Sequence, residues 1–530
     1  MTAAPWWKGA VVYHIYVRSF FDADGDGQGD LAGVIAGLNY VQALGVDAIW
    51  LSPIHPSPDR DWGYDVSDYA GVHPDYGTQA DFDALLTAAH ARGLKVILDE
   101  VLSHTSDEHP WFAASRDEGR DGAKADWYVW ADPKRDGTAP NNWLSVFGGP
   151  AWSYQPARRQ HYHHKFLRQQ PKLNWRQPQA REAALQVLDA WLSRGVDGFR
   201  LDVAGTYLHD ASLQDNPAIP ETLRDARHWG HASDLQRHLH DANLPENVAM
   251  LDLIRRRVEA HGDRFVFGEF FEEPERSGAY LGPDAGLHSG YAFELLLAEA
   301  LTPELVKGHA ARMEAYPDHW PSIAFSNHDV PRTASRFANV TPQLSFALLL
   351  SLRGDPLIYQ GEELGLPQAS LTRRQLRDPV GDLYWPTVRG RDGCRTPMPW
   401  RTDAPNLGFS MGTPWLPTPA EHAGLAVDVQ AADAGSMLAF SRRALAVRRA
   451  AAALRLGDMQ MLETEGGVAG FVRGLGGEAV ACLFNMGADG VDILDSRFLG
   501  AAPLLETGEV AVEGDRVRLD PRAATWLRLT

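Results

Sequence analysis

Four short apolar runs in this chain end in an acidic side chain: VILDE (96–100), GFRLD (198–202), FVFGE (265–269) and IAFSNHD (323–329). Runs of this length, bounded by glycine or polar residues, predict buried strands. Four more, at 11–18, 46–52, 289–294 and 355–365, have the same character. Between the first two, Leu31, Val34, Leu38, Val41 and Leu44 recur at helical spacing, and 81–91 and 178–193 are amphipathic in the same way. Eight strands alternating with helices predict an α/β chain, a (β/α)8 TIM barrel. Chemistry in such barrels sits at the C-terminal strand ends, so Asp99, Asp202, Glu269 and Asp329 are expected to converge over one mouth.

The alternation stops after the third strand. From His104 to about Lys172 there is no sustained period but many tryptophans, among them Trp111, Trp127, Trp130, Trp143 and Trp152. Flexible linkers do not carry such rings, so this is an inserted functional unit, its tryptophans forming a small satellite core or stacking on a ligand. A long polar connection, 205–249, follows the fourth strand and is positioned to cover the mouth. After a helix at 437–454 the period changes to two: FVRGLGGEAVACLFN reads as a hairpin about its glycines, and RVRLDPRAATWLRL as closing strands. The expected domains are a barrel in two parts, 1–103 and 174–455, an inserted domain B at 104–173, and a C-terminal antiparallel β-sandwich at 456–530.

A formal net charge of -19 argues against nucleic acid or an anionic membrane as the main partner. The two cysteines, Cys394 and Cys482, lie too far apart for metal-ligand spacing and read as buried small hydrophobes. The N-terminus lacks a basic stretch followed by a long apolar run, which predicts a cytoplasmic protein acting on an imported small molecule, as monomer or homodimer.

Within GFRLDV, Arg200 and Asp202 share one face of a strand. A cation so close would hold Asp202 ionised, as a carboxylate nucleophile requires; a structural ion pair fits the same six residues. Glu269, among Val266, Phe267, Phe270 and Phe271, is in a setting that favours the protonated form. An ionised and a protonated carboxyl across one pocket suit glycosidic bond cleavage. In DADGDGQGD, Asp22, Asp24, Asp26 and Asp30 with the carbonyl of Gln28 are spaced to wrap a hard cation such as Ca²⁺, although the twelfth position is Gly33 where an EF-hand has glutamate; a solvated acidic turn is the alternative.

Taken together, GFRLDV, FGEF and FSNHDVPR resemble the motifs of glycoside hydrolase family 13, the α-amylase family, in its bacterial α-glucosidase and oligo-1,6-glucosidase branch. The resemblance covers essentially the whole chain, including the calcium loop. It implies Asp202 as nucleophile, Glu269 as acid/base and Asp329 as transition-state stabiliser, with Asp61, Tyr64, His104, Arg200, His328, Arg332 and Arg395 binding the sugar. It further implies a retaining, exo-acting α-glucosidase on short oligosaccharides, able to transfer glucose to other hydroxyls. Two positions depart from the family pattern: Ser103 stands where asparagine is usual, and QPKLN carries Lys172 in place of aspartate. Ser103 resembles a subgroup of glucosyl-transferring α-glucosidases leaning to α-1,4 bonds, whereas Val203 resembles α-1,6-active members, so sucrose-active and oligo-1,6 readings stay open. Transporter-associated homologues without activity carry a membrane helix and lack the carboxylates that this chain keeps.

Overall fold

The computed structural model describes residues 4–221, 232–270, 278–282 and 285–530. Its centre is a parallel sheet of β1 (Val12–Ile15), β2 (Ala48–Leu51), β3 (Lys95–Glu100), β4 (Gly198–Leu201), β5 (Phe265–Gly268), β6 (Ser289–Gly290), β7 (Ser322–Ile323) and β8 (Asp355–Tyr359). The spatial order is β7-β8-β1-β2-β3-β4-β5-β6, and a parallel bridge from Tyr291 to Ser322 joins the two ends. The sheet is therefore closed, as expected of a (β/α)8 barrel.

Apart from β3, each strand is shorter than its apolar run. The run at 289–294 is strand for two residues and then turns into the helix Phe293–Leu296. The run at 322–329 leaves the sheet after Ile323, and the Asn327 carboxamide then accepts from the amides of Asp329 and Val330, turning the chain outward. What looked like extended strand in the sequence is the loop that carries functional groups over the mouth.

Strand alternation sorts the side chains. Val12, Ala48, Trp50, Ile97, Phe265, Phe267 and Leu357 fill the barrel interior, while Tyr13, Ile49, Leu98 and Val266 face the helices. The first helix, α1 (Leu31–Leu44), buries all five residues of its predicted stripe; it is capped by Asp30, whose carboxylate accepts from the Gly33 amide, and ends at Gly45 with φ 92°. The helix Gln79–His90 opens with a capping box between Thr78 and Asp81. The predicted helix at 437–454 is two helices, Met437–Ala450 and Ala452–Leu456, because Ala451 is extended.

Between β3 and β4 the insert holds three short antiparallel strands, Trp130–Ala131, Gln160–His163 and Trp152–Gln155. Its tryptophans form the satellite core: Trp127, Trp143 and Trp152 are buried, and Trp111 and Trp130 pack on other rings. None of the five reaches the cavity described below, which decides against sugar stacking by these rings. The connection after β4 docks on this insert. Trp143 Nε1 donates to Gln214 O, Asn142 Nδ2 to Asn216 O, and Lys165 Nζ to Asp241 at 2.7 Å. Part of that connection, 222–231, and Phe271 beside Glu269 lie outside the described residues.

The C-terminal region carries a five-stranded and a three-stranded antiparallel sheet, packed through Leu462, Val468, Leu483, Ile493, Val517 and Leu527. Its hairpin turns at Gly476–Gly477, both at positive φ, as a two-residue turn of this hand requires. Arg473 ties this sheet to the barrel. Fully buried, it donates to the carbonyls of Ser351, Leu352 and Gly457, and among the described residues no carboxylate bonds it. Replacing Arg473 by methionine strands these carbonyls away from water, and a loss of about 3 kcal/mol is expected in denaturant unfolding. Wild-type stability of that variant would contradict the tie.

Candidate active site

The strand register assembles the site. Asp99 on β3 lies beside Arg200 on β4, and Leu201 beside Gly268 on β5. The ladder runs one residue further, Asp202 N donating to Glu100 O and Glu269 N to Leu201 O, each at 3.0 Å. Asp202 and Glu269 thus follow a registered pair and face the same side. Val203 then takes a left-handed backbone (φ 40°, ψ 44°) that a β-branched residue rarely adopts, and it turns the chain away directly after Asp202.

Arg200, fully buried with its guanidinium over Trp50, joins three acids. Nη1 donates to Asp99 Oδ1 and Asp202 Oδ1, both at 2.8 Å, and Nη2 to Glu269 Oε2 at 2.7 Å. The Val203 amide also approaches Glu269 Oε2 at 3.3 Å. Here one expectation needs correction: Arg200 does not hold Asp202 low. Burial raises the Asp202 carboxyl well above the ordinary carboxylate range, and Arg200, divided among three partners, does not offset it. Burial raises Glu269 too, and lifts Asp99 to about 6. The charge of Glu269 adds to the rise at Asp202, so the two carboxyls titrate as an interacting pair.

A second network closes the far side. Arg391 donates to Asp61 Oδ1 at 2.8 Å, Asp329 Oδ1 at 3.2 Å and Asp378 Oδ1 at 2.8 Å. Arg395 donates through Nη2 to Asp329 Oδ1 at 2.7 Å and through Nε to the His328 carbonyl. Burial acts to raise Asp329, but the contact with His328 and the cations of Arg391 and Arg395 outweigh it and hold Asp329 well below the usual range. Burial also keeps His328 neutral, with its pKa near 4. Its Nε2 lies 3.1 Å from Asp329 Oδ2 and 2.6 Å from Tyr64 Oη, while the Tyr64 hydroxyl donates to Asp99 Oδ2 at 3.0 Å. Tyr64 thereby links the two networks.

These groups surround a cavity of about 400 Å³. Asp61, Tyr64, His104, Asp202, Glu269 and Asp329 of the sequence-derived set line it. Arg200, His328 and Arg395 stand directly behind that wall and hold the lining acids. Arg332 does not reach the cavity, contrary to the sugar-binding role expected for it. Its guanidinium donates to the carbonyls of Gln360 and Cys394, bracing the end of β8. Arg391, Gln170, Asn327, Phe147 and Phe166 also line the cavity and were not singled out from the sequence. Arg391 is in the same RDGCRTPMPW segment as Arg395, and Gln170 opens QPKLN, but neither has a periodicity that would mark it. The outer wall, with Val146, Phe293, Leu296, Val330, Val380 and Val388, is apolar.

Away from the cavity, Asp22, Asp24 and Asp30 each bring an oxygen within 4.8 Å of the others. Three carboxylates so gathered, two of them buried, are a donor set that fits a hard divalent cation. Asp26 accepts from the amide of Gln28, and the Gln28 carboxamide, which is not the group expected to ligate, donates to Asp75.

A closed barrel with paired acids at its C-terminal mouth defines a glycoside hydrolase site. The family model for the α-amylase catalytic domain matches residues 14–457, and the chain belongs to that family. It is 50% identical over 493 residues to a probable α-glucosidase of Rhizobium meliloti (strain 1021), covering 91% of this chain and 89% of that one. It is 38% identical over 452 residues to an oligo-1,6-glucosidase of Heyndrickxia coagulans, covering 78% and 79%. Among solved structures, the alpha-glucosyl transfer enzyme XgtA superposes with a TM-score of 0.95 at 44% identity, and the trehalulose synthase MutB of Pseudomonas mesoacidophila MX-45 with 0.88 at 30%, each over the full length of both chains. The protein is a glycoside hydrolase of the glucosidase branch of this family.

Because burial raises both members of the Asp202–Glu269 pair, the alkaline limb of kcat/KM on a chromogenic α-glucoside is expected above the ordinary carboxyl range. Asp99 adds negative charge beside Asp202, so Asp99→Asn makes the pair's proton easier to lose and moves that limb down by roughly half a unit to one unit. A limb that stays or moves up would contradict this reading.

Proposed function

We propose that the protein is an exo-acting, retaining α-glucosidase that releases glucose from the non-reducing end of short α-glucosides and also transfers glucose to other hydroxyls. The observation that carries this reading is the joint hold of Arg200 on Asp202 and Glu269 at the floor of a cavity whose far side is closed by Arg391 with Asp61 and Asp329. Inverting glycosidases separate their carboxyls by about 6.5–9.5 Å to seat a water between them. Asp202 and Glu269 are instead drawn together on the two terminal nitrogens of one guanidinium, which favours the retaining arrangement.

In the productive state Glu269 carries a proton and Asp202 is ionised. Asp202 attacks the anomeric carbon while Glu269 protonates the departing oxygen; Glu269 then takes a proton from the water or alcohol that displaces Asp202. Asp329, held anionic, grips sugar hydroxyls and stabilises positive charge developing on the ring. Asp61 with Arg391, and His104, bind the terminal glucose from the opposite wall.

α-1,4 bonds such as that of maltose are the first choice of substrate. The runner-up, an oligo-1,6-glucosidase or sucrose-active enzyme, is favoured by Val203 beside the nucleophile and by the names of relatives. The same reading carries a cytoplasmic enzyme, monomer or homodimer, acting on small sugars without nucleic acid or membrane. No described helix is long and apolar enough to cross a membrane. A Ca²⁺ ion held by Asp22, Asp24 and Asp30 would brace the loop that caps α1, with no part in the chemistry.

Asp202→Asn is expected to lower kcat by at least about four orders of magnitude, and Glu269→Gln to lose less on aryl glucosides with good leaving groups than on maltose. Wild-type turnover by the first variant, or equal losses for the second, would reject these roles. Products followed over time on maltose, isomaltose, sucrose and maltotriose, with the anomer first released read by NMR, test the rest: β-glucose would exclude retention. Chelation is expected to lower Tm and leave the initial rate on maltose intact; an unchanged melting curve rejects the structural ion.

A further inference from the structure

The two departures from the family pattern, Ser103 and Lys172, meet at one side chain. Lys172 pairs with His104 across an antiparallel bridge, and the next amide, Leu173 N, donates to Ser103 O at 3.0 Å. Between them sits the His104 ring, buried and lining the cavity. Ser103 Oγ lies 2.6 Å from His104 Nδ1, and the Tyr64 carbonyl lies 2.9 Å from Nε2.

A carbonyl only accepts, so Nε2 carries a proton. Burial holds the ring neutral, with its pKa near 3, and the Lys172 cation adds to that effect. A neutral imidazole has a single N–H, which leaves Nδ1 bare and makes the Ser103 hydroxyl the donor. Gln170 agrees with this assignment. Its Oε1 accepts from Leu167 N at 2.9 Å, which turns its NH₂ toward Asp61 Oδ2 at 3.0 Å and Tyr64 O at 3.3 Å; these two oxygens take both of its protons, so it requires no lone pair on His104 Nε2, 3.2 Å away. The Nε2 edge is the one surrounded by cavity-lining residues, Asp61, Tyr64 and Gln170, whereas Ser103 is behind the wall.

We propose that Ser103 is a positioning residue that, together with the Tyr64 carbonyl, keeps the His104 proton on Nε2, so that the ring offers an N–H shared between Tyr64 O and a hydroxyl of the bound glucosyl unit. This rests on the α-glucosidase reading for the identity of the ligand, though not for the location of the proton. Burial lowers the Lys172 amine to about 7, so its charge reinforces the arrangement below that pH, and its amine is held by the Thr206 carbonyl.

The test uses the full chain with ¹⁵N-labelled histidine. Signals of His104, identified by their loss in His104→Gln, are expected to show a protonated Nε2 and a bare Nδ1 from about pH 5.5 to 8. In Ser103→Ala, checked for a native melting curve, the Nδ1 shift moves toward the tautomer average. The KM for maltose then rises about fivefold to tenfold, the worth of one buried hydrogen bond, with kcat changed less. A wild-type ring protonated on Nδ1 overturns the proposal whether or not the variant folds. So does a Ser103→Ala enzyme with an unmoved tautomer or unmoved KM. Absence of glucosidase activity in the wild type would instead strike the proposed function, because the tautomer is read without turnover.

Discussion

One guanidinium organises this active site. Arg200 is the only cation bonded to Asp99, Asp202 and Glu269 among the described residues, and all four are buried. Three ionised carboxylates around one positive charge would leave a large uncompensated charge in a region shut off from water. The set therefore retains a proton, and burial raises Asp99, Asp202 and Glu269 alike. In the proposed mechanism Glu269 carries that proton while Asp202 is ionised.

The far side solves the opposite problem. Asp61, Asp329 and Asp378 meet two guanidiniums, Arg391 and Arg395, and Asp378 also accepts the Arg391 backbone amide at 2.6 Å. More nearly balanced, this group keeps Asp329 anionic, whereas the Arg200 group keeps a proton. A carboxyl that donates a proton and a carboxylate that stabilises positive charge are obtained from the same side-chain chemistry by changing the number of cations each can reach.

The strand ends were legible in the sequence because a buried parallel strand is a nearly continuous apolar run, and an acid closing one stands out. The helix stripe from Leu31 to Leu44 was legible for the same reason. Arg391 and Gln170 were not, since they come from irregular loops whose path is fixed by side-chain bonds such as Asp392 to the Arg377 and Asp378 amides, and no period encodes such bonds. Arg332 was misjudged because proximity in sequence to Asp329 says nothing of direction: the chain turns between them, and the guanidinium points back into the barrel. The lowering of Asp202 failed for a quantitative reason. Counting the neighbours of a carboxylate within six residues omits the other acids that the fold brings to the same cation.

The apolar outer wall completes the electrostatic argument. Phe147, Phe166, Phe293 and Leu296 line the same cavity as the charged groups, and Phe147 also lies against the Arg391 guanidinium, 5.2 Å from ring centre to cation. A low-polarity rim strengthens each interaction on the floor and makes the uncompensated charge there more costly, so the retained proton is held more firmly than it would be in an open groove. The same rim distinguishes water from larger alcohols. Water gains no hydrogen-bonding partner on that wall, whereas an alcohol with a carbon skeleton buries apolar surface against it.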